Sequence, residues 1–247
     1  MVAKRPGSSI ELRVLGGFRL SRCGHAVTLR LGVQRIPALL AVHGRVDRRD
    51  LAGKLWPELT QDRALSNLRT ILWRLRSVVP GLVSDGMGIC ELSEGVHVDL
   101  MDVQQWGERS MAGSSDPQMP PGPIGLMLLP GWDESWLTEP REALRLTVLH
   151  SLEAACLRFL FSGRLAEASL CARKAVTVDP LRESAHRLLL EVHLRQGNQA
   201  EAIRHFAKYR TALREEIGVA PGVTMLAMMA PLMTPEADAR NTTQTHI

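Results

Sequence analysis

Between Gln61 and Val79 four side chains able to discriminate nucleic-acid bases recur at spacings of three and four: Arg63, Asn67, Thr70 and Arg74. At about 3.6 residues per helical turn this spacing places them on one face. A guanidinium offers two donors to guanine O6 and N7, an asparagine amide pairs with adenine N6 and N7, and a threonine can contact either kind of base. Ser66, Arg69 and Trp73 lie beside them. No acid occurs between Arg63 and Arg76. Solvated helix faces normally mix Glu with Arg, so the acid-free face predicts close approach to DNA phosphates. Trp73 has three readings: contact with a sugar or a thymine methyl, packing against a neighbouring hairpin, or completion of the core.

A second basic cluster, Arg45, Arg48, Arg49 and Lys54, precedes this helix. In a helix-turn-helix the first helix of the pair crosses the DNA backbone, so Arg48 and Arg49 are candidate phosphate contacts. A generic basic surface fits that cluster equally well.

The elements that must hold these residues follow from periodicity. The helix over Gln61–Val79 carries an apolar stripe of Ala64, Leu65, Leu68, Ile71, Leu72, Leu75 and Val79, and Pro80-Gly81 ends it. A hairpin follows: Leu82-Val83-Ser84, a turn at Asp85-Gly86-Met87-Gly88, then Ile89-Cys90-Glu91-Leu92. Its tip has little positive charge, which leaves backbone N–H groups as its means of touching DNA. Upstream, Asp47 reads as the N-cap of a helix that buries Leu51, Ala52 and Leu55 and stops at Trp56-Pro57. Before it, Ile36, Leu39, Leu40 and His43 define another helix, with Pro37 expected in its first turn. The alternating runs 10–14, 18–20 and 26–29, separated by turns at Gly16-Gly17 and Cys23-Gly24-His25, predict a small antiparallel sheet. Sheet, three helices and hairpin is the layout of a winged helix.

The second half differs. Residues 113–123 are rich in Gly, Pro and Ser and read as a loop. From Glu139 to Ile217 the pattern is helical, and Gly163–Ala168 is echoed by Gly197–Ala202 at an offset of 34 residues, the period of a tetratricopeptide repeat. Ala172 matches Phe206 and Ala175 matches Tyr209, but Arg214 stands where Pro180 predicts a second proline. Two repeats do not close a core, so segments around Trp132–Leu149 and Gly222–Met229 are expected to cap them. The predicted fold is therefore mainly α with a small β component: an N-terminal winged helix-turn-helix followed by an all-α tetratricopeptide-like domain. The expected division is a flexible N-terminus over 1–9, a DNA-binding domain over 10–98, a repeat domain over 99–230 with Asp99 capping its first helix, and a flexible tail over 231–247.

Bulk properties agree. Residues 1–98 hold 15 Lys and Arg against 8 Asp and Glu, a net +7, while residues 99–247 hold 15 against 18, a net −3. A basic half joined to an acidic half points to a polyanion meeting the first. The cysteines at 23, 90, 156 and 171 form no C-x-x-C pattern and read as reduced thiols. No secretory leader and no membrane-spanning run is expected, which suggests a cytoplasmic, nucleoid-associated protein. No nucleophile, metal or phosphate-loop motif is found, so neither an enzyme nor a cofactor is expected. His186 and His193 have no third ligand nearby in sequence and read as packing or surface residues, and Asp133-Glu134 as a turn.

Several stretches together resemble the Streptomyces antibiotic regulatory protein (SARP) type of activator: Leu12–Phe18, Leu51–Pro57, Ala64–Arg76, Leu129-Pro130-Gly131-Trp132 with Trp136, Pro180-Leu181-Arg182-Glu183, Gly197–Leu213 and Gly218-Val219-Ala220-Pro221. The resemblance covers residues 10–230. It implies an OmpR-like winged helix followed by a bacterial transcriptional activation domain, binding of double-stranded promoter repeats as a homodimer, and recruitment of RNA polymerase through its sigma factor and core subunits. In the wider family the loop before the recognition helix faces polymerase; here it is Trp56-Pro57-Glu58-Leu59-Thr60. Arg69 and Trp73 depart from the smaller or uncharged residues usual there, which bears on the target sequence. A helical-repeat adaptor without specific DNA binding, and a repressor of the same architecture, are the alternatives.

Overall fold

Strand β1 (Ile10–Arg13) buries Ile10 and Leu12 and turns Arg13 outward, the period-two pattern of a half-buried strand. It pairs antiparallel with β2 (Arg19–Arg22), which pairs antiparallel with β3 (His25–Val27). The sheet is not purely antiparallel, as the sequence suggests. A strand from far along the chain, Val96–Val98, lies parallel to β1 at the sheet edge. Parallel neighbours need a long crossover, and here the crossover is everything between residues 14 and 95, which local alternation cannot reveal. The structure, a computed structural model, describes residues 10–113 and 117–233. The expected N-terminal segment 1–9 and residues 234–247 of the expected tail lie outside the described residues.

Helix α1 (Leu31–His43) begins well before Pro37, so that proline sits in its middle and not in its first turn. Proline there gives up a backbone hydrogen bond. Its ring is buried in the run Ile36–Leu40, which offsets the loss. The short strand β4 (Val46–Asp47) leads into α2 (Arg48–Leu55), and the Asp47 carboxylate accepts from the Arg49 N–H at 2.7 Å, the predicted N-cap. Helix α3 (Gln61–Val78) buries Ala64, Leu68, Leu72 and Leu75, with Val79 just past its end. Leu65 and Ile71 are only half-buried, because they flank a stripe wider than the neighbouring elements cover. Strands β5 (Val83–Gly86) and β6 (Ile89–Leu92) form the hairpin, and β4 adds to β6. The edge strand of the first sheet is β7 (Val96–Val98).

By packing, the described residues divide into 10–108 with 121–147, and 109–113 and 117–120 with 148–233. In the first unit, Asp99 opens α4 (Asp99–Met111), and its buried carboxylate accepts from the N–H groups of Val14 and Leu15 at 2.9 and 3.2 Å. Burial raises its pKa, and those N–H groups oppose the rise. The segment after residue 120 joins this unit. Gly16 N–H donates to the Met127 carbonyl, Phe18 stacks on Trp132, and Arg141 donates to the carbonyls of Leu128, Leu129 and Trp132. Arg35 donates through Nη2 to Glu134 at 2.7 Å, and its Nε lies 2.6 Å from the other carboxylate oxygen as an ion pair without hydrogen-bond alignment. Trp136 Nε1 donates to the same carboxylate, after a short 3-10 turn begins at Ser135. The expected capping of the repeats by the Trp132–Leu149 segment is therefore corrected: through Thr147 it packs into the first unit, where these polar and aromatic partners hold it.

The second unit continues from α5 (Thr138–Phe161), inside which the boundary falls, through α6 (Leu165–Val178), α7 (Glu183–Arg195), α8 (Gln199–Glu216) and α9 (Val223–Met233). The 34-residue repeat is visible in the hydrogen bonds. Gly163 donates to Leu160 and Arg164 to Phe159; Gly197 donates to Leu194 and Asn198 to His193. Both glycines have φ above +70°, as this helix-ending motif requires. Ala168 and Ala202, Ala172 and Phe206, and Ala175 and Tyr209 are all buried. Arg214 stays inside α8, whereas α6 stops before Pro180. Met225 and Met229 of α9 cover Phe206, Tyr209 and Leu213, as expected of a cap. Pro231 lies within α9, which runs on to Met233.

The Pro180–Glu183 stretch is a latch. Arg182 donates to Glu153 at 2.7 and 3.1 Å and Ser184 donates to the same carboxylate, while Glu183 accepts from the Gly222 N–H ahead of α9. His186 Nε2 meets the Pro180 carbonyl at 2.8 Å. A carbonyl only accepts, so that nitrogen carries the proton, and Nδ1 accepts from His205 Nε2 at 2.9 Å. The partner of His186 is thus His205 on the next helix, with His193 nearby. Among the described residues no three His, Cys, Asp or Glu side chains are placed to hold a metal.

Candidate nucleic-acid interface

The turn from Trp56 to Thr60 aims α3 away from α2. Thr60 stands at the α3 N-cap, and its carbonyl accepts the first helical hydrogen bond, from Ala64. Of the predicted polymerase-facing residues, Glu58 and Thr60 are exposed and Trp56 and Leu59 half-buried.

Arg63, Ser66, Asn67, Arg69, Thr70, Trp73 and Arg74 are all exposed on α3. The buried positions fix which way the helix faces. At about 100° per residue, Ser66, Thr70 and Trp73 lie opposite the core; Arg63, Asn67 and Arg74 fall toward one flank, and Arg69 and Arg76 toward the other. Thr70 differs from expectation in detail: its hydroxyl donates to the Ser66 carbonyl at 3.1 Å, so it is an acceptor and a methyl to anything outside.

The hairpin flanks the Arg69 side. Its loop is the two residues Met87 and Gly88, both with positive φ, the primed turn that matches strand twist. Asp85, nearly buried in β5, holds the wing in place: Arg48 of α2 donates to it at 3.1 Å, and Arg76 of α3 pairs with its other oxygen. The Arg48 N–H also donates to the Gly88 carbonyl. Wing, α2 and α3 are thereby tied together around a cleft lined by Asp47, Arg48, Arg49, Leu65, Arg69 and Gly88. Arg48 and Arg49, predicted on a separate cluster, are brought beside Arg69. Met87 at the wing tip is fully exposed.

Sequence reasoning missed Asp85 and Arg76 as positioning residues. One signal was present: Asp85 is the only acid between Asp62 and Glu91. Asp-Gly is equally a turn signal, which masks that role.

A winged helix with a tied hairpin, followed by a helical-repeat unit, is the class that this arrangement defines. Residues 125–232 match the bacterial transcriptional activator domain family. The chain is 30% identical over 242 residues to the regulatory protein AfsR of Streptomyces coelicolor, covering 88% of this chain and 24% of that protein. It is 29% identical over 227 residues to AfsR of Streptomyces griseus, covering 86% and 23%. The chain thus spans about a quarter of the length of these relatives. Its fold is similar to that of Mycobacterium tuberculosis EmbR, solved in complex with a low affinity phosphopeptide, with a TM-score of 0.67 at 16% identity over 92% of this chain and 66% of that one. This domain plan is similar to that of SARP-type regulators.

Proposed function

We propose that the chain is a transcriptional activator that binds promoter repeats in double-stranded DNA through α3 and recruits RNA polymerase. The observation that carries this reading is the exposed, acid-free face of α3 from Arg63 to Arg76, bordered by a wing tied down through Asp85. Arg63, Asn67 and Arg74 supply base discrimination, each good bidentate pair contributing roughly 1–3 kcal/mol. Arg48, Arg49 and Arg69 converge on one cleft and supply phosphate attraction, which carries no sequence information but falls steeply with salt. The Trp56–Thr60 loop presents Glu58 to polymerase or its sigma factor, and the protein acts as a homodimer on repeated half-sites in the bacterial cytoplasm.

The test is selection from random duplexes by the full chain at two salt concentrations, beside the Arg63→Ala/Arg74→Ala double variant. Enrichment of a repeated motif, steep salt dependence and loss in the variant are expected. Weak, sequence-blind binding unchanged in the variant would overturn the reading in favour of a protein-protein adaptor. Run-off transcription from the selected site then separates activation from repression.

A further inference from the structure

Around Trp73 the outer face of α3 offers few hydrogen-bond donors. Trp73 lies there with 67% of its surface exposed, the largest side chain so displayed on this helix. The hydroxyls around it are committed to the helix itself: Thr70 donates to the Ser66 carbonyl at 3.1 Å, and Ser77 donates to the Trp73 carbonyl at 3.0 Å. What faces outward around position 73 is an indole ring and a threonine methyl, with the Ser66 hydroxyl a turn before Thr70, the hydrogen-bonding Arg63, Asn67 and Arg74 to one side and Arg69 to the other. An indole held in water is unfavourable, and no core position of α3 requires one there. In the major groove the base edges offer donors and acceptors at every pair, but a single apolar feature: the C5 methyl of thymine.

We propose that Trp73, with the Thr70 methyl, reads thymine methyl groups at the middle of the half-site. This rests on the reading of α3 as the major-groove helix. The flanking polar residues then read the pairs on either side, so the half-site has a thymine-centred core bordered by pairs chosen through hydrogen bonds.

Deoxyuridine tests this directly, because it removes only the methyl and leaves every hydrogen bond of the pair intact. The full chain selects its site from random duplexes, and each thymine of that site is replaced by deoxyuridine in turn. Affinity is expected to fall about fourfold for each methyl that the ring covers. Trp73→Ala is expected to bind the thymine and uracil duplexes equally at the positions that the ring covers, while Arg63→Ala binds both more weakly and keeps the difference. Circular dichroism of Trp73→Ala should match that of the parent chain, since the side chain is exposed. An enriched site in which no uracil replacement matters, or a Trp73→Ala variant that still discriminates, overturns this inference and leaves the DNA-binding assignment standing. Enrichment of no site at all overturns both.

Discussion

At the scale of single residues, the wing tip is the place where chemistry and position part company. A wing that reaches the minor groove or the backbone normally does so with Arg or Lys, yet here the tip is Met87. A methionine adds contact area but releases no counterion. Met87→Lys is therefore expected to steepen the dependence of log Kd on log salt by about 0.9, one further phosphate neutralised, and to tighten binding at low salt. Fluorescence anisotropy across a salt series measures this, and an unchanged slope would mean that the tip stays clear of DNA. Residue identities on α3 were legible because helical spacing maps sequence onto a face. The Thr70 hydroxyl was not, since only the folded helix shows that the Ser66 carbonyl takes its proton. Asp85 was half legible: its isolation among basic residues is written in the chain, its two arginine partners are not.

At the scale of elements, the ends of helices carry much of the specification. Asp47 satisfies the Arg49 N–H and starts α2 beside the wing. Asp47→Ala is expected to cost about 1 kcal/mol of stability by denaturant titration. At the other end of the chain, Met229 is buried among Phe206, Tyr209 and Leu213. Met229→Ala is expected to cost about 3 kcal/mol and to expose the α8 surface to proteolysis first. The repeat turns could be read in advance because Gly163 and Gly197 each need a left-handed backbone that few other residues accept. Pro37 could not, because the rule that places proline in a first turn yields where burial of its ring outweighs one lost hydrogen bond. The parallel partner of β1 was equally hidden, since pairing across more than eighty residues leaves no local periodicity.

At the scale of the whole molecule, acid sensitivity follows from the histidines of the second unit. Burial and neighbouring positive charge hold His205 down to about 4, and burial also lowers His186 and His193. Unfolded histidines titrate near 6.5. Above that pH both states are neutral and stability is complete. As the pH falls from about 6.5 toward 4, the unfolded chain takes up protons that the folded chain refuses, so stability drops. Thermal melts are expected to show Tm falling between pH 6.5 and 5, above the range in which carboxylates titrate, and His205→Asn should flatten that slope.

The segment 121–147 belongs with the first unit although residues 109–120 belong with the second. The ties that finish the first unit, Arg35 to Glu134 and Arg141 to the 128–132 carbonyls, are made by residues beyond the end of its wing. During translation, at about 5–20 residues per second, the first unit is thus still incomplete when α3 and the β5–β6 hairpin have left the ribosome. It closes only once Thr147 has emerged, by which time part of the partner unit has already been made. A nascent chain cannot complete its first unit before it has begun the second.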